Sequence, residues 1–273
     1  MRAAYVTNNA SRRPAAVAAH LTELGIPAEA HDVVTSGQAA VRLLAARFPA
    51  GSAVLVLGTE ALAEQVTEAG LRPVRTAEED PVAVVQGLAP DTGWTQLAEA
   101  SVVLRRGAFW VAGNTDSTYP SPRGPLPGNG ALVAALTTAT GLRPVVTGKP
   151  EPALHRESVE RVGAQRPLVV GDRLDTDVLG AVRGGADSLL VLTGVVDRAA
   201  LLAAAPGSRP TYVAADLRGL LAPQPAVVVE GDVATCGPAR AELVDGEVRG
   251  SEDDSVEGLR AQCALAWALA DRA

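Results

Sequence analysis

The stretch VVGDRLDTD, residues 169–177, decides the fold: an apolar run ends in Gly171-Asp172, and further carboxylates follow at Asp175 and Asp177. In open α/β sheets ligands bind beyond the carboxyl ends of the strands, so Asp172 is expected to face a site. Asp172 and Asp177 are hard oxygen ligands of the kind Mg²⁺ takes from a few carboxylates, with water and phosphate oxygens completing its shell. Asp175 is expected to cap the following helix as an acceptor for free N–H groups. Isolated strings of this form also occur as plain loop acids, so the reading depends on its surroundings.

Working outward, strand-like and helix-like runs alternate along the chain, the pattern of an α/β fold with a mostly parallel sheet. Upstream, Ala3 to Thr7 reads as a strand, Pro14 opens a helix closed by Gly25, and Ser36 caps a second helix to Phe48. Strand Ala53 to Leu57, helix Thr59 to Ala69, strand Val82 to Leu88 and helix Trp94 to Val102 form a βαβ-like unit of their own. Strand Phe109 to Ala112 leads into the Pro/Gly-rich loop GNTDSTYPSPRGPLPGNG, followed by a helix from Ala131 to Thr140. A loop of that length inside a compact domain is more often functional than idle. Strand, GKPEP turn and helix Ala153 to Val162 precede the VVGDRLDTD segment, and strand Ser188 to Leu192 follows it. Past Pro223, Ala226–Val229 and Ala241–Val248 read as a short hairpin or edge pair, and Val256–Leu269 as an amphipathic terminal helix.

A chain of 273 residues, 47% hydrophobic and 20% charged, folds into one large domain or two modest ones. The net charge of −7 argues against a nucleic-acid surface. No stretch approaches the roughly 18 unbroken apolar residues of a membrane span, and the N-terminus is no signal peptide, so a cytoplasmic protein is expected. Cys236 and Cys263 lack CxxC spacing and read as reduced thiols; His20, His31 and His155 lack metal-ligand spacing and read as surface or helix-side residues. The composition has one sharper feature: 23 arginines against a single lysine, Lys149, and only four asparagines, Asn8, Asn9, Asn114 and Asn129. A lone ammonium in so arginine-rich a chain stands out, because a compact point charge meets a phosphate oxygen in a way the planar guanidinium does not.

Two further motifs complete the picture. In YVTNNASR a strand ends at Thr7-Asn8-Asn9, where a hydroxyl, an amide and the N–H groups of a following helix would cradle an anion. In TGKPEP, Lys149 follows a strand, between Gly148 and Pro150. Gly128-Asn129-Gly130 lacks the third glycine and preceding strand of a dinucleotide fingerprint, and no P-loop or GxSxG occurs.

In order and spacing these elements resemble the capped phosphatases of the haloacid dehalogenase superfamily, over residues 1 to 220. YVTNNASR is similar to the second family motif, TGKPEP to the third and VVGDRLDTD to the fourth, while GNTDSTYP and LPGNGALVAAL resemble the stretch joining cap to core. Within that branch the chain is most similar to actinobacterial glycerol-3-phosphate phosphatases. The resemblance implies a Rossmann-like core with a parallel sheet, residues 1–51 and 144–222, an inserted α/β cap, 52–143, and a C-terminal extension, 223–273. It further implies that Thr7 and Asn8 hold a phosphoryl group, that Lys149 offsets its charge, and that Asp172 and Asp177 hold Mg²⁺. The partner would be a small phosphorylated substrate, processed through an aspartyl-phosphate, and by fold-level analogy the assembly would be a homodimer through the cap.

One family motif has no counterpart. The DxDG of the first strand should lie a few dozen residues ahead of YVTNNASR; Asp175-Thr176-Asp177 belongs to the metal motif, and Glu252-Asp253-Asp254 lies in a polar tail. In the family's sheet the missing strand is central, and its loss would leave unpaired backbone on both neighbours. The expectation is a chain truncated at its N-terminus and inactive as it stands. The competing reading is a non-catalytic relative that binds a phosphorylated metabolite or a partner.

Overall fold

The computed structural model describes residues 2–250 and 255–272, so Glu252-Asp253-Asp254 lies outside the described residues. The chain divides into two compact units, Met1–Ala164 and Gln165–Ala273.

The first unit opens with β1 (Tyr5–Thr7), α1 (Pro14–Glu23), β2 (Val33–Thr35) and α2 (Ser36–Arg47). Pro14 sits in the first turn of α1, where its missing N–H costs nothing. The cap of α2 is Thr35 and not Ser36: Thr35 Oγ1 accepts from Gln38 N at 3.2 Å, while Gln38 Oε1 accepts from Thr35 N at 3.1 Å. This T-x-x-Q capping box frees Ser36, which is buried and donates its hydroxyl to Asn8 O at 2.6 Å.

Next come β3 (Ala53–Leu57), α3 (Glu60–Glu68), β4 (Arg72–Val74), β5 (Ala83–Gln86), α4 (Trp94–Arg105) and β6 (Phe109–Ala112). A short antiparallel pair, β7 (Thr118–Tyr119) and β8 (Leu126–Pro127), precedes α5 (Asn129–Thr140), β9 (Val145–Val146) and α6 (Pro152–Val162). Five of these strands form a parallel sheet in the order β4-β3-β5-β6-β9. Both faces are covered, as parallel sheets require, and the period of two along β3 divides its side chains between them. Leu55 and Leu57 join Val103, Leu104 and Leu136 on one face; Val54 and Val56 join Leu44, Leu62 and Val66 on the other. Thus α2 and β9, which flank the 52–143 segment in sequence, take part in this same sheet's packing.

The second unit contains β10 (Leu168–Gly171), a π-helical turn (Leu174–Val178), α7 (Leu179–Gly184), β11 (Asp187–Val191), α8 (Arg198–Leu202) and β12 (Tyr212–Ala214). Its parallel sheet runs β10-β11-β12. The C-terminal segment is more than the expected edge pair: β13 (Val227–Glu230), β14 (Val233–Cys236), β15 (Ala239–Val244) and β16 (Glu247–Gly250) form an antiparallel meander. What reads as one run, Ala241 to Val248, is broken by Asp245-Gly246, both at positive φ (52° and 83°), the two-residue turn that fits strand twist. Helix α9 (Val256–Ala270) buries two stripes at i, i+4 spacing. Ala261 and Leu265 pack on the meander, and Leu259 and Cys263 join Leu190, Leu201 and Val213.

Among the described residues β1 pairs only with β2, and β10 only with β11. Each therefore keeps one unpaired edge. Their faces are also less covered: Leu168 is 41% exposed, and Val6, Val169 and Val170 are half-buried, whereas β3 is buried throughout.

Candidate active site

In the first unit, the carboxyl end of β1 and the turn after β9 meet through one side chain. Asn8 Oδ1 accepts from the backbone N of Lys149 at 2.7 Å, and Asn8 Nδ2 donates to Lys149 O at 3.1 Å. The second hydrogen of that amide goes to the carboxylate of Asp116, at 3.2 Å to Oδ2 and 3.4 Å to Oδ1. Lys149 Nζ donates to Val6 O at 3.4 Å, so the ammonium sits over the end of β1. Gly148 is required for this approach: a Cβ there would fall on Gly113 O and within 2.7 Å of Asn8 Oδ1.

Thr7 Oγ1 accepts from Asn9 N at 3.2 Å and keeps its O–H as a donor. Asn9 Oδ1 accepts from Ser11 N at 2.7 Å and Arg12 N at 3.2 Å. The helix begins only at Pro14, so these amides serve a side-chain-held turn and not the helix-terminal cradle expected from the sequence. The structure thus brings Thr7, Asn8 and Lys149 together, all half-buried. It also makes the Asn8 side chain a tie to Lys149, with both amide hydrogens committed.

In the second unit, Asp172 and Asp177 stand at the carboxyl end of β10. Asp172 Oδ2 accepts from Val195 N at 3.1 Å; Asp177 is buried, and its Oδ2 accepts from Arg173 N at 3.2 Å. The backbone is pared to glycine beside each carboxylate. A Cβ on Gly194 would overlap Asp172, and one on Gly171 would overlap Asp177. Asp177 is carried by the π-helical turn, a distortion frequent at functional sites. Two oxygen-donor carboxylates held by backbone N–H groups in glycine cradles suit a hard divalent cation completed by water and phosphate. Among the described residues no group of three or more His, Cys, Asp or Glu is placed to bind a metal.

Asp175 does not cap a helix. Arg173 donates to it through Nε (2.9 Å) and Nη2 (2.7 Å), and this guanidinium holds its carboxyl below the usual carboxylate range. His155, expected at a surface or helix side, is buried on α6. Cys236 and Cys263 are free and buried. A cavity of about 360 Å³ beside β12, β13 and α9 contains none of the site residues. No helix among the described residues is long and apolar enough to cross a membrane.

Sequence reasoning missed Asp116, Asn114 and Ser36. The signal was present: the scarcity that singled out Lys149 applies to asparagine, and all four asparagines lie in this network or its adjoining turn.

Residues 1–72 match the family described as haloacid dehalogenase-like hydrolase, and residues 146–220 the family described as HAD-hydrolase-like. The chain is 50% identical over 279 residues to the D-glycerol 3-phosphate phosphatase of Mycobacterium tuberculosis, covering 97% of this chain and 77% of that protein. It is 36% identical over 219 residues to the acid sugar phosphatase of Staphylococcus saprophyticus, covering 80% of this chain and 83% of that one. The crystal structure of the glycerol phosphate phosphatase from Mycobacterium tuberculosis in complex with magnesium superposes with a TM-score of 0.85 at 49% identity, over 98% of this chain and 81% of that one.

Proposed function

The chain belongs to the haloacid dehalogenase-like hydrolases, and from that premise we propose that it is a Mg²⁺-dependent phosphomonoesterase of a small phosphorylated metabolite, with glycerol 3-phosphate as substrate. The observation that carries the reading is the junction of Asn8 with Lys149 at the end of β1, beside the Thr7 hydroxyl. A hydroxyl donor and the chain's single ammonium converge there, and both are suited to phosphate oxygens.

In this reading Thr7 O–H donates to the transferring phosphoryl group, Lys149 offsets its charge, and Asn8 acts by seating Lys149. Asp172 and Asp177 hold Mg²⁺, which when bound supplies charge stabilisation to the phosphoryl oxygens. The covalent step is attack of an aspartate carboxylate on phosphorus: the P–O ester bond breaks, the leaving oxygen takes a proton from water to become the alcohol, and a second water then cleaves the acyl phosphate to aspartate and inorganic phosphate, releasing a proton. No DxDG stands in the 273 residues; in this reading the aspartate lies on residues outside them, and the 273-residue chain is inactive alone. The division into a core of 1–51 and 144–222 and a cap of 52–143, and a cytoplasmic location, belong to the same proposal. A second reading is a relative that binds the phosphorylated metabolite or a partner without turnover.

Mass spectrometry of the N-terminal peptide of the protein from its own cells separates the two. A peptide extending upstream through a DxDG, with Mg²⁺-dependent hydrolysis of glycerol 3-phosphate by that longer form, is expected. A native N-terminus at Met1, or robust hydrolysis by residues 1–273 alone, overturns the account of the nucleophile.

A further inference from the structure

The loop opening with Asn114 carries a carboxylate that the reading above leaves without a role. We propose that Asp116 is a positioning residue of the phosphate half-site: it fixes the orientation of the Asn8 amide and through it the seat of Lys149. This inference rests on the phosphatase reading.

Three observations support it. The first is donor and acceptor logic. Lys149 N can only donate, so it fixes the Asn8 oxygen on its side; Lys149 O and Asp116 can only accept from Asn8, so they fix the nitrogen. Asp116 takes the second amide hydrogen, and without it that hydrogen loses its charged acceptor in a half-buried site.

The second is that Asp116 is itself held. Its backbone N donates to Asn114 Oδ1 at 3.1 Å, Asn114 Nδ2 donates to Asn8 O at 2.6 Å, and Asn129 Nδ2 donates to Asn114 O at 2.7 Å. Side chain and backbone of Asn8 are thus both gripped by one loop.

The third is that the loop backbone is clamped by glycines. Gly130 N donates to Asp116 O at 2.8 Å and Gly128 N to Ser117 O at 2.9 Å. A Cβ on Gly130 would collide with the Thr115 carbonyl, and one on Gly128 would come within 3.0 Å of the Thr118 backbone. The Gly128-Asn129-Gly130 run, too short for a dinucleotide fingerprint, therefore lets this loop and α5 approach closely enough to pre-place the carboxylate.

The test uses the 273-residue chain with inorganic phosphate as probe, followed by calorimetry and by NMR of the Asn8 side-chain amide and the Lys149 backbone amide. Asp116→Ala is expected to shift both resonances and weaken phosphate binding about tenfold, the size of a hydrogen bond to a charged group, with its melting temperature close to that of the unaltered chain. Asp116→Asn keeps an acceptor oxygen and is expected to restore most of the affinity, which a merely space-filling role would not require. Unshifted Asn8 and Lys149 resonances in Asp116→Ala, or phosphate affinity equal to that of the unaltered chain, overturns the positioning role. Failure of the unaltered chain to bind phosphate overturns the phosphate half-site itself, and so is distinguished from failure of Asp116.

Discussion

Residues 1–164 hold the junction of Asn8 and Lys149 with bonds that reach far along the chain: Asn8 to Lys149 spans 141 positions, and Asn8 to Asp116 spans 108. Residues 165–273 hold Asp172 and Asp177 with shorter reach, since Asp177 takes the amide of Arg173 four positions away and Asp172 that of Val195, 23 positions on. The first arrangement exists only when three separated segments are folded together; the second needs only the paired strands β10 and β11 and the turns that follow them. A group placed by distant partners is sensitive to packing anywhere between them, whereas one placed by its own turn answers mainly to its local backbone.

The largest effect that tests this contrast is on turnover. In the form carrying the nucleophile, Lys149→Ala and Asp172→Asn are each expected to lower kcat about 100-fold or more. Raised Mg²⁺ should recover part of the loss in Asp172→Asn and none in Lys149→Ala. Wild-type kcat in either variant removes that residue from the site, and equal response to Mg²⁺ removes the division of labour.

Glycine substitutions sharpen it further. Gly148→Ala drives a Cβ into the Gly113 carbonyl, which is backbone and cannot turn aside, so stability should fall by about 1–3 kcal/mol in chemical denaturation. Gly194→Ala meets Asp172 down to its Cβ, 2.5 Å away and fixed to the backbone. It is expected to lower the denaturation midpoint as well, and in addition to weaken Mg²⁺ binding measured by titration calorimetry, which Gly148→Ala should leave nearly unchanged. The contrast breaks if Gly148→Ala weakens Mg²⁺ binding as much as Gly194→Ala does.

A smaller effect separates buried from exposed groups within 165–273. Burial pushes the Cys263 thiol up to about 12, so at pH 8 it is a neutral thiol and should react with an alkylating reagent only after denaturation. Because the folded value lies above the ordinary thiol range, the stability tied to this group is complete below about pH 9 and lost as the pH rises towards 12. Rapid labelling of the native chain at Cys263 would show that the α9 core opens.

The smallest effect belongs to Asp216, whose carboxyl is held down to about 2 by the guanidinium of Arg218. The folded value lies below 3.8, so its contribution is present above that pH and lost as the pH falls through about 2. Arg218 is exposed to solvent and Asp216 half-buried, so the pair is screened: Asp216→Asn should differ little from the parent at neutral pH, and the difference should vanish in acid titrations near pH 2. A persistent gap below pH 2 would mean that Asp216 acts by another route than its charge.

The sequence by itself determined the α/β alternation, the strand that delivers Asp172, and the helices α1 and α9, because each rests on periodicity and turn chemistry within a few residues. It also marked Lys149 and the four asparagines by scarcity. Where local signals compete, it misplaces them: Ser36 reads as the cap that Thr35 provides, Asp175 as a helix cap although it is Arg173's partner, and Ala241–Val248 as one run although the Asp245-Gly246 turn breaks it. Only the tertiary structure decided that Asn8 serves Lys149, that Asp116 takes its second hydrogen, and that Gly148, Gly171 and Gly194 are bare because another group occupies the space. The reason is geometric: hydrogen-bond partners and close approaches are fixed by which distant segments a sheet brings side by side, and the residues of one segment carry no record of the other's distance.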